Sequence, residues 1–214
     1  FLGKYKMKRI YSYVLLLLIT CIVSADNFTN PTARVKDSVE KVLTILKDET
    51  LEREIRWKKI GIIIDKSFDF RSMSQSILAT NWKTATPGER ESFIEFFSQY
   101  LEETYRTKIE AYTNQEIEYV GETINGKRAV VETLIITDST EIPVNYKLKN
   151  NDGVWFAYDV VIEGISLVSN YRSTFAAIVK NDGMDGLLND IQLRIDKYKS
   201  SKGTESYSET TEDS

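Results

Sequence analysis

Apolar residues at Val35, Val39, Val42, Leu43 and Leu46 repeat with a helical period, so a helix is expected to begin in the turn after Asn30-Pro31. A second helix is expected over Leu51 to Phe68, through Ile55, Ile60 and the run Ile62-Ile63-Ile64. A short third helix follows Asp69, around Ser72 to Asn81. The fourth has the most complete start signal. Thr86-Pro87-Gly88-Glu89 supplies an N-cap, a proline in the first turn and a capping-box glutamate. Phe93, Phe96, Phe97, Tyr100, Leu101 and Tyr105 then share one broad face.

Beyond Tyr112 the period becomes two. Ile117, Tyr119 and Gly121 alternate up to Asn125-Gly126, a strong hairpin signal. Val130, Glu132, Leu134 and Ile136 take one parity of the return strand; Val131 and Ile135 take the other. Asp138-Ser139 turns the chain into a third strand carrying Ile142, Val144, Tyr146 and Leu148. Asn150-Asn151-Asp152-Gly153 turns it into a fourth. There Val154, Phe156, Tyr158, Val160 and Ile162 oppose Trp155, Ala157, Asp159 and Val161. Both faces of this strand are rich in apolar residues, so something apolar, protein or ligand, should touch both. A helix is expected from Ser166 to Lys180 and another after Asp182-Gly183, with Leu187, Leu188, Ile191, Ile195 and Tyr198 inward. Helices, then a four-stranded antiparallel meander, then helices make an α+β fold.

The ends read differently from the middle. Met7-Lys8-Arg9, the apolar run Val14 to Ile19 and Val23-Ser24-Ala25 have the layout of a secretory signal peptide over residues 1–25, with Met7 as its natural start. Cys21 is either the lipidated residue of a loose lipoprotein box or a cysteine lost with the signal; Thr20 before it favours the second. Residues 26–199 form the expected folded domain, and residues 200–214, rich in Ser, Thr and Glu, read as a disordered acidic tail. Loss of Lys4, Lys6, Lys8 and Arg9 with the signal takes the net charge from −4 to −8. An acidic surface argues against nucleic-acid binding and against resting on anionic membranes.

The chain has no histidine and one cysteine, which excludes histidine-based triads and zinc sites built on His or several Cys. No Gly-rich phosphate loop or nucleophile elbow is present. Asp159 and Glu163 are the nearest to an acid/base pair. They equally suit capping of the following helix or pairing with Arg172. The aromatic residues exceed what one element needs, and they suit either a solid core or the wall of a cavity.

The run GVWFAYDVVIEGISLVSNYRSTFAAIV from Gly153 resembles the signature of the MlaC, or toluene-tolerance, family of periplasmic phospholipid-binding proteins. Gly153, Trp155, Asp159, Val160, Glu163, Gly164, Ile165, Ser166, Leu167, Val168, Asn170, Tyr171, Arg172 and Phe175 stand at its motif positions. The segment DGMDGLL at 182–188 and the block from Phe68 to Ile117, with its Trp82 and Thr86-Pro87, are similar to further family segments. The resemblance covers about residues 31 to 199; Asn81, Gly88 and the acidic tail depart from the pattern.

The resemblance implies an NTF2-like arrangement, a twisted antiparallel sheet cupped by helices around an apolar cavity. It implies a monomeric periplasmic carrier, not an enzyme, with diacyl phospholipid as cargo, no cofactor and no metal. The implied partners are an outer-membrane lipoprotein–porin complex and an inner-membrane ABC transporter with its membrane-anchored lipid-binding subunit, whose joint task is lipid asymmetry. On that reading Phe97, Leu101, Tyr105, Tyr146, Trp155, Tyr158, Ile165, Leu167, Val168, Tyr171 and Phe175 line the cavity. Arg172 either meets a phosphate at the mouth or pairs with Asp159 or Glu163. The alternatives are a secreted enzyme on a similar fold using Asp159 and Glu163, and a protein-binding adaptor with a solid core.

Overall fold

The computed structural model describes residues 30–112 and 115–209, with side chains through residue 200. The expected signal peptide, Cys21 and the last residues of the acidic tail lie outside the described residues. The Asn30 side chain accepts from the Ala33 amide at 2.8 Å and starts α1 (Pro31–Leu46). Helix α2 (Arg53–Ser67) ends where Phe68 and Asp69 meet the sheet; the Asp69 amide donates to the Ala157 carbonyl at 2.8 Å. The same aspartate caps α3 (Phe70–Leu78) by accepting from the Ser72 amide.

One helix is expected here and two are found. Ala79, at φ 51 and ψ −114, separates α3 from α4 (Thr80–Thr84). The change of direction sets the Trp82 ring between the guanidinium groups of Arg71 and Arg90, at 5.7 and 5.5 Å. Helix α5 (Pro87–Glu110) carries the expected capping box. Thr86 Oγ1 accepts from the Glu89 amide, and Glu89 accepts from the Thr86 amide at 2.6 Å.

The sheet is an antiparallel meander in the order β1 (Glu116–Asn125), β2 (Arg128–Ile136), β3 (Glu141–Asn151), β4 (Val154–Ile162) and β5 (Ile165–Ser166). The fifth strand is an addition to the expected four. Glu163 and Gly164 both take positive φ, 49° and 81°, and this tight turn folds Ile165 and Ser166 back onto Ile162 and Val161. Helix α6 (Leu167–Glu209) is broken at Gly183 (φ 71, ψ −171), where the sequence separates two helices. Its backbone stays helical to Glu209, into the stretch whose composition reads as tail.

A second difference decides which residues face where. Lys147 pairs with Asp159 and Leu148 with Ala157, so Tyr158 is an extra residue in a β-bulge. The bulge exchanges the two parities of β4 at its middle. Trp155, Ala157 and Val160 fall on one face, in register with the buried Leu148 and with Tyr146. Phe156, Asp159 and Val161 fall on the other. The sequence reading put Val160 on the face of Phe156 and Asp159 on that of Trp155, and a single inserted residue overturns that grouping.

Two apolar clusters result. The larger is helical: α3, α5 and α6 bury Met73, Ile77, Phe93, Phe97, Tyr171, Phe175, Leu187, Ile191 and Ile195 among themselves. The smaller lies between α1 and the sheet and holds Val35, Ala129, Val131, Leu148 and Trp155. Strand β4 serves both, Trp155 in the smaller and Tyr158 against the larger. The apolar material expected at both faces of β4 is therefore protein.

Candidate functional site

The helical cluster brings most of the expected lining together. Phe97 is fully buried and stacks on Phe93 at 5.7 Å; Tyr171 meets it edge-on at 5.3 Å and Phe175 at 6.2 Å. Leu101 and Val168 are buried beside them. Tyr105, Tyr158 and Leu167 are half-buried at the rim, with Phe68, Phe70 and Phe96. Helical spacing on α5 sets Phe93, Phe97 and Leu101 on one side, and the same spacing on α6 sets Val168, Tyr171 and Phe175 opposite. Burial pushes the hydroxyl of Tyr171 well above its ordinary pKa, and the nearby Tyr105 and Tyr100 hydroxyls add to the shift. The interior of this cluster is one that rejects charge.

Three expected lining residues lie elsewhere. Trp155 is 4% exposed in the smaller cluster, and Tyr146 packs against that same cluster from β3. Burial there raises the Tyr146 hydroxyl to about 12. Ile165, in the short β5, is 62% exposed and belongs to neither cluster. Strand alternation sets Trp155 opposite Phe156 and sets Tyr146 on the face of Leu148, both toward α1, and the tight turn at Glu163-Gly164 swings Ile165 outward.

Among the described residues Arg172 pairs with neither Asp159 nor Glu163. Its Nε donates to the Ser76 carbonyl at 2.7 Å and ties α6 to α3. Asp159 is 3% exposed and fully engaged: its Oδ2 accepts from Lys147 Nζ at 3.0 Å and Ser166 Oγ at 2.7 Å, and its Oδ1 from the Val168 amide at 3.1 Å. It anchors the first turn of α6 to β4. Glu163 is exposed in the turn. The two carboxylates therefore do not combine into an acid/base pair. Among the described residues no group of three or more His, Cys, Asp or Glu could hold a metal ion.

The sequence gives little sign of Arg106, which is 4% exposed. Its Nη2 donates to Glu54 at 2.6 Å, its Nε to Glu110 at 3.0 Å, and its guanidinium lies 5.1 Å from the Trp57 ring. Burial opposes the charge, yet the two carboxylates hold the guanidinium protonated. The i,i+4 spacing to Glu110 is legible in sequence; Glu54 comes from α2 and is not. Two cavities flank this knot. One of about 120 Å³ is lined by Leu46, Arg53, Arg56, Trp57, Ile60 and Glu110. The other, about 320 Å³, is lined largely by charged residues, among them Glu54, Lys58, Glu102, Arg106 and Lys199. Neither touches the expected lipid lining; the first is too small for an acyl chain pair and the second lacks an apolar wall.

Comparison with known proteins adds an independent line. The family model described as "MlaC protein" matches residues 36–193. The toluene tolerance protein Ttg2D of Pseudomonas putida is 29% identical over 139 residues, 64% of this chain and 62% of that protein. The intermembrane phospholipid transport system binding protein MlaC of Haemophilus influenzae is 25% identical over 122 residues, 54% of this chain and 57% of that one. The matched region thus spans about three-fifths of these relatives' lengths. A phospholipid-binding protein from Ralstonia solanacearum, solved with a phospholipid bound, superposes with a TM-score of 0.71 at 24% identity, covering 78% of this chain and 97% of that one. That likeness is one of fold.

Proposed function

The chain belongs to the MlaC family, and from that premise we propose that it is a phospholipid carrier of the periplasm. It takes lipid between an outer-membrane lipoprotein–porin complex and the membrane-anchored lipid-binding subunit of an inner-membrane ABC transporter. It works as a monomer, and its chemistry is binding, not catalysis. The observation that carries this reading is the helical cluster. Its buried aromatic centre is ringed by half-buried Phe68, Phe70, Phe96, Tyr105, Tyr158 and Leu167, so apolar surface continues from the core to the solvent edge.

Burying a methylene is worth about 0.8 kcal/mol, so shielding the roughly 30 methylenes of a two-tailed lipid is worth on the order of 20 kcal/mol before costs. Binding of that size can part side chains that otherwise pack on each other. We place the tails between α5 and the first half of α6, against Phe97, Leu101, Tyr105, Tyr158, Leu167, Val168, Tyr171 and Phe175. Tyr146 and Trp155 hold the α1 cluster in place beneath the sheet. A lining of aromatic and aliphatic groups reads chain length loosely, and the expected net charge of −8 keeps the loaded carrier from settling on anionic bilayers.

The test is extraction. Vesicles holding a self-quenched fluorescent phospholipid gain fluorescence when the purified protein removes lipid. A stoichiometric gain supports the proposal; no gain over a bovine albumin-free blank at excess protein contradicts it.

A further inference from the structure

The cations beside the apolar rim are arranged as a row. Arg128 on β2 stands directly opposite Lys149 on β3, and Lys147 follows two residues back on the same face. Like charges set opposite each other across a ladder destabilise it, so this pairing needs another reason. The surroundings neutralise the row only in part. Lys147 is paired with the buried Asp159. Lys149 Nζ reaches the Ser72 hydroxyl at 3.4 Å; that hydroxyl already donates to Asp69, whose Oδ2 also accepts from Asn151. Arg128 is exposed, and its guanidinium lies 5.8 Å from the Tyr158 ring. Among the described residues neither Arg128 nor Lys149 forms an ion pair with a carboxylate. Glu132, further along the same face of β2, is directed toward Gly121 on β1.

The apolar side of this place is equally defined. Tyr158 is the bulged residue of β4 and packs on the helical cluster, as do Phe68 and Phe70, which flank Asp69 and stack at 5.8 Å. A rim of three aromatic rings therefore borders two cations. That is the junction an amphiphile presents, with hydrocarbon on one side and an anionic oxygen cluster on the other.

We propose that Arg128 and Lys149 bind the phosphate group of the bound lipid at the mouth beside Tyr158. This rests on the carrier reading above and adds to it the place and chemistry of headgroup contact. The planar guanidinium over Tyr158 offers paired N–H donors to two phosphate oxygens, and Lys149 adds a point charge from the neighbouring strand. The phosphate is common to all glycerophospholipids, so such a contact selects phospholipid over neutral lipid without choosing among headgroups.

The experiment uses the full chain and neutral vesicles of phosphatidylcholine doped with diacylglycerol of the same acyl chains. Mass spectrometry of the loaded protein reads the ratio of the two lipids taken up. The wild type is expected to favour the phospholipid at least tenfold over its share in the vesicle. The variant R128A/K149A is expected to fall to within about twofold of that share, with diacylglycerol uptake unchanged and thermal stability equal or higher. A double variant that keeps the wild-type preference overturns the assignment, as does a wild type with no preference. A wild type that loads neither lipid overturns the carrier reading and this site together; one that loads both without discrimination overturns this site alone. Inorganic phosphate supplies the last arm. If it binds the wild type and not the double variant while lipid preference is the same in both, the pair is a free-phosphate site and the headgroup contact is refuted.

Discussion

Replacing Asp159 with alanine isolates the contact that holds α6 against the sheet. Three donors converge on this carboxylate: Lys147 Nζ at 3.0 Å, Ser166 Oγ at 2.7 Å and the Val168 amide at 3.1 Å. They do not count equally. The Lys147 side chain is 37% exposed and regains water when released. Ser166 still caps α6 through the Ser169 amide. The Val168 amide is buried and loses its only side-chain acceptor, a cost of about 1–3 kcal/mol, and the charge-assisted Ser166 bond adds about 1.5 kcal/mol. The sum, about 2.5–4.5 kcal/mol, corresponds to a fall in Tm of roughly 5–18 °C for a chain of this size. Asp159→Asn keeps an acceptor for Val168 and should show about half of that loss. Thermal unfolding followed by far-ultraviolet circular dichroism reads both, and hydrogen exchange at the Val168 amide shows whether the loss is local. An alanine variant melting within about 2 °C of the wild type would refute the claim that Asp159 anchors α6.

Two further outcomes test other parts of the molecule. Burial, reinforced by Glu103 and Asp65, raises the Glu102 carboxyl above its ordinary 4.5, despite Trp57 and Arg106 nearby. Its charged form is thus disfavoured in the folded state, a penalty present above the folded pKa and gone below the unfolded one. Glu102→Gln should therefore unfold at higher denaturant than the wild type at neutral pH, with the advantage vanishing by about pH 4; an advantage independent of pH would contradict the sign. Leu167→Asp places a carboxylate at the apolar rim but at the first residue of α6, where the helix dipole favours it. Lipid uptake from vesicles should drop at least tenfold while circular dichroism stays native, and unchanged uptake would remove Leu167 from the binding surface.

What was legible in the sequence is what local chemistry decides. Asn30-Pro31, the Thr86/Glu89 capping box, the Asn125-Gly126 hairpin and the break at Gly183 all stand where short-range signals put them. Phe97, Leu101, Val168, Tyr171 and Phe175 assemble because helical spacing faces them toward one another. The errors share a different origin. The Tyr158 bulge is one extra residue on one strand, invisible to a period-two reading, and it moved Val160 to the face of Trp155 and Asp159 to the face of Phe156; Tyr146 and Trp155 lie on the α1 face, which the sequence does not tell apart from the face toward the helical cluster. Ile165 turned outward because two consecutive residues adopt positive φ, and only one of them is glycine. Arg172 found a backbone carbonyl on α3 instead of a carboxylate, and Arg106 found Glu54 on α2; neither partner is near in sequence. The row Arg128, Lys147 and Lys149 emerges only when register aligns two strands.

The central claim is that the chain holds a phospholipid against the apolar surface of α5 and α6. Native mass spectrometry of the protein, expressed from the full sequence and purified without detergent, tests it most directly. The account predicts a second species heavier by the mass of one diacyl phospholipid, released as that lipid on collisional activation. A single species at the bare protein mass, unchanged after incubation with phospholipid vesicles, would contradict it.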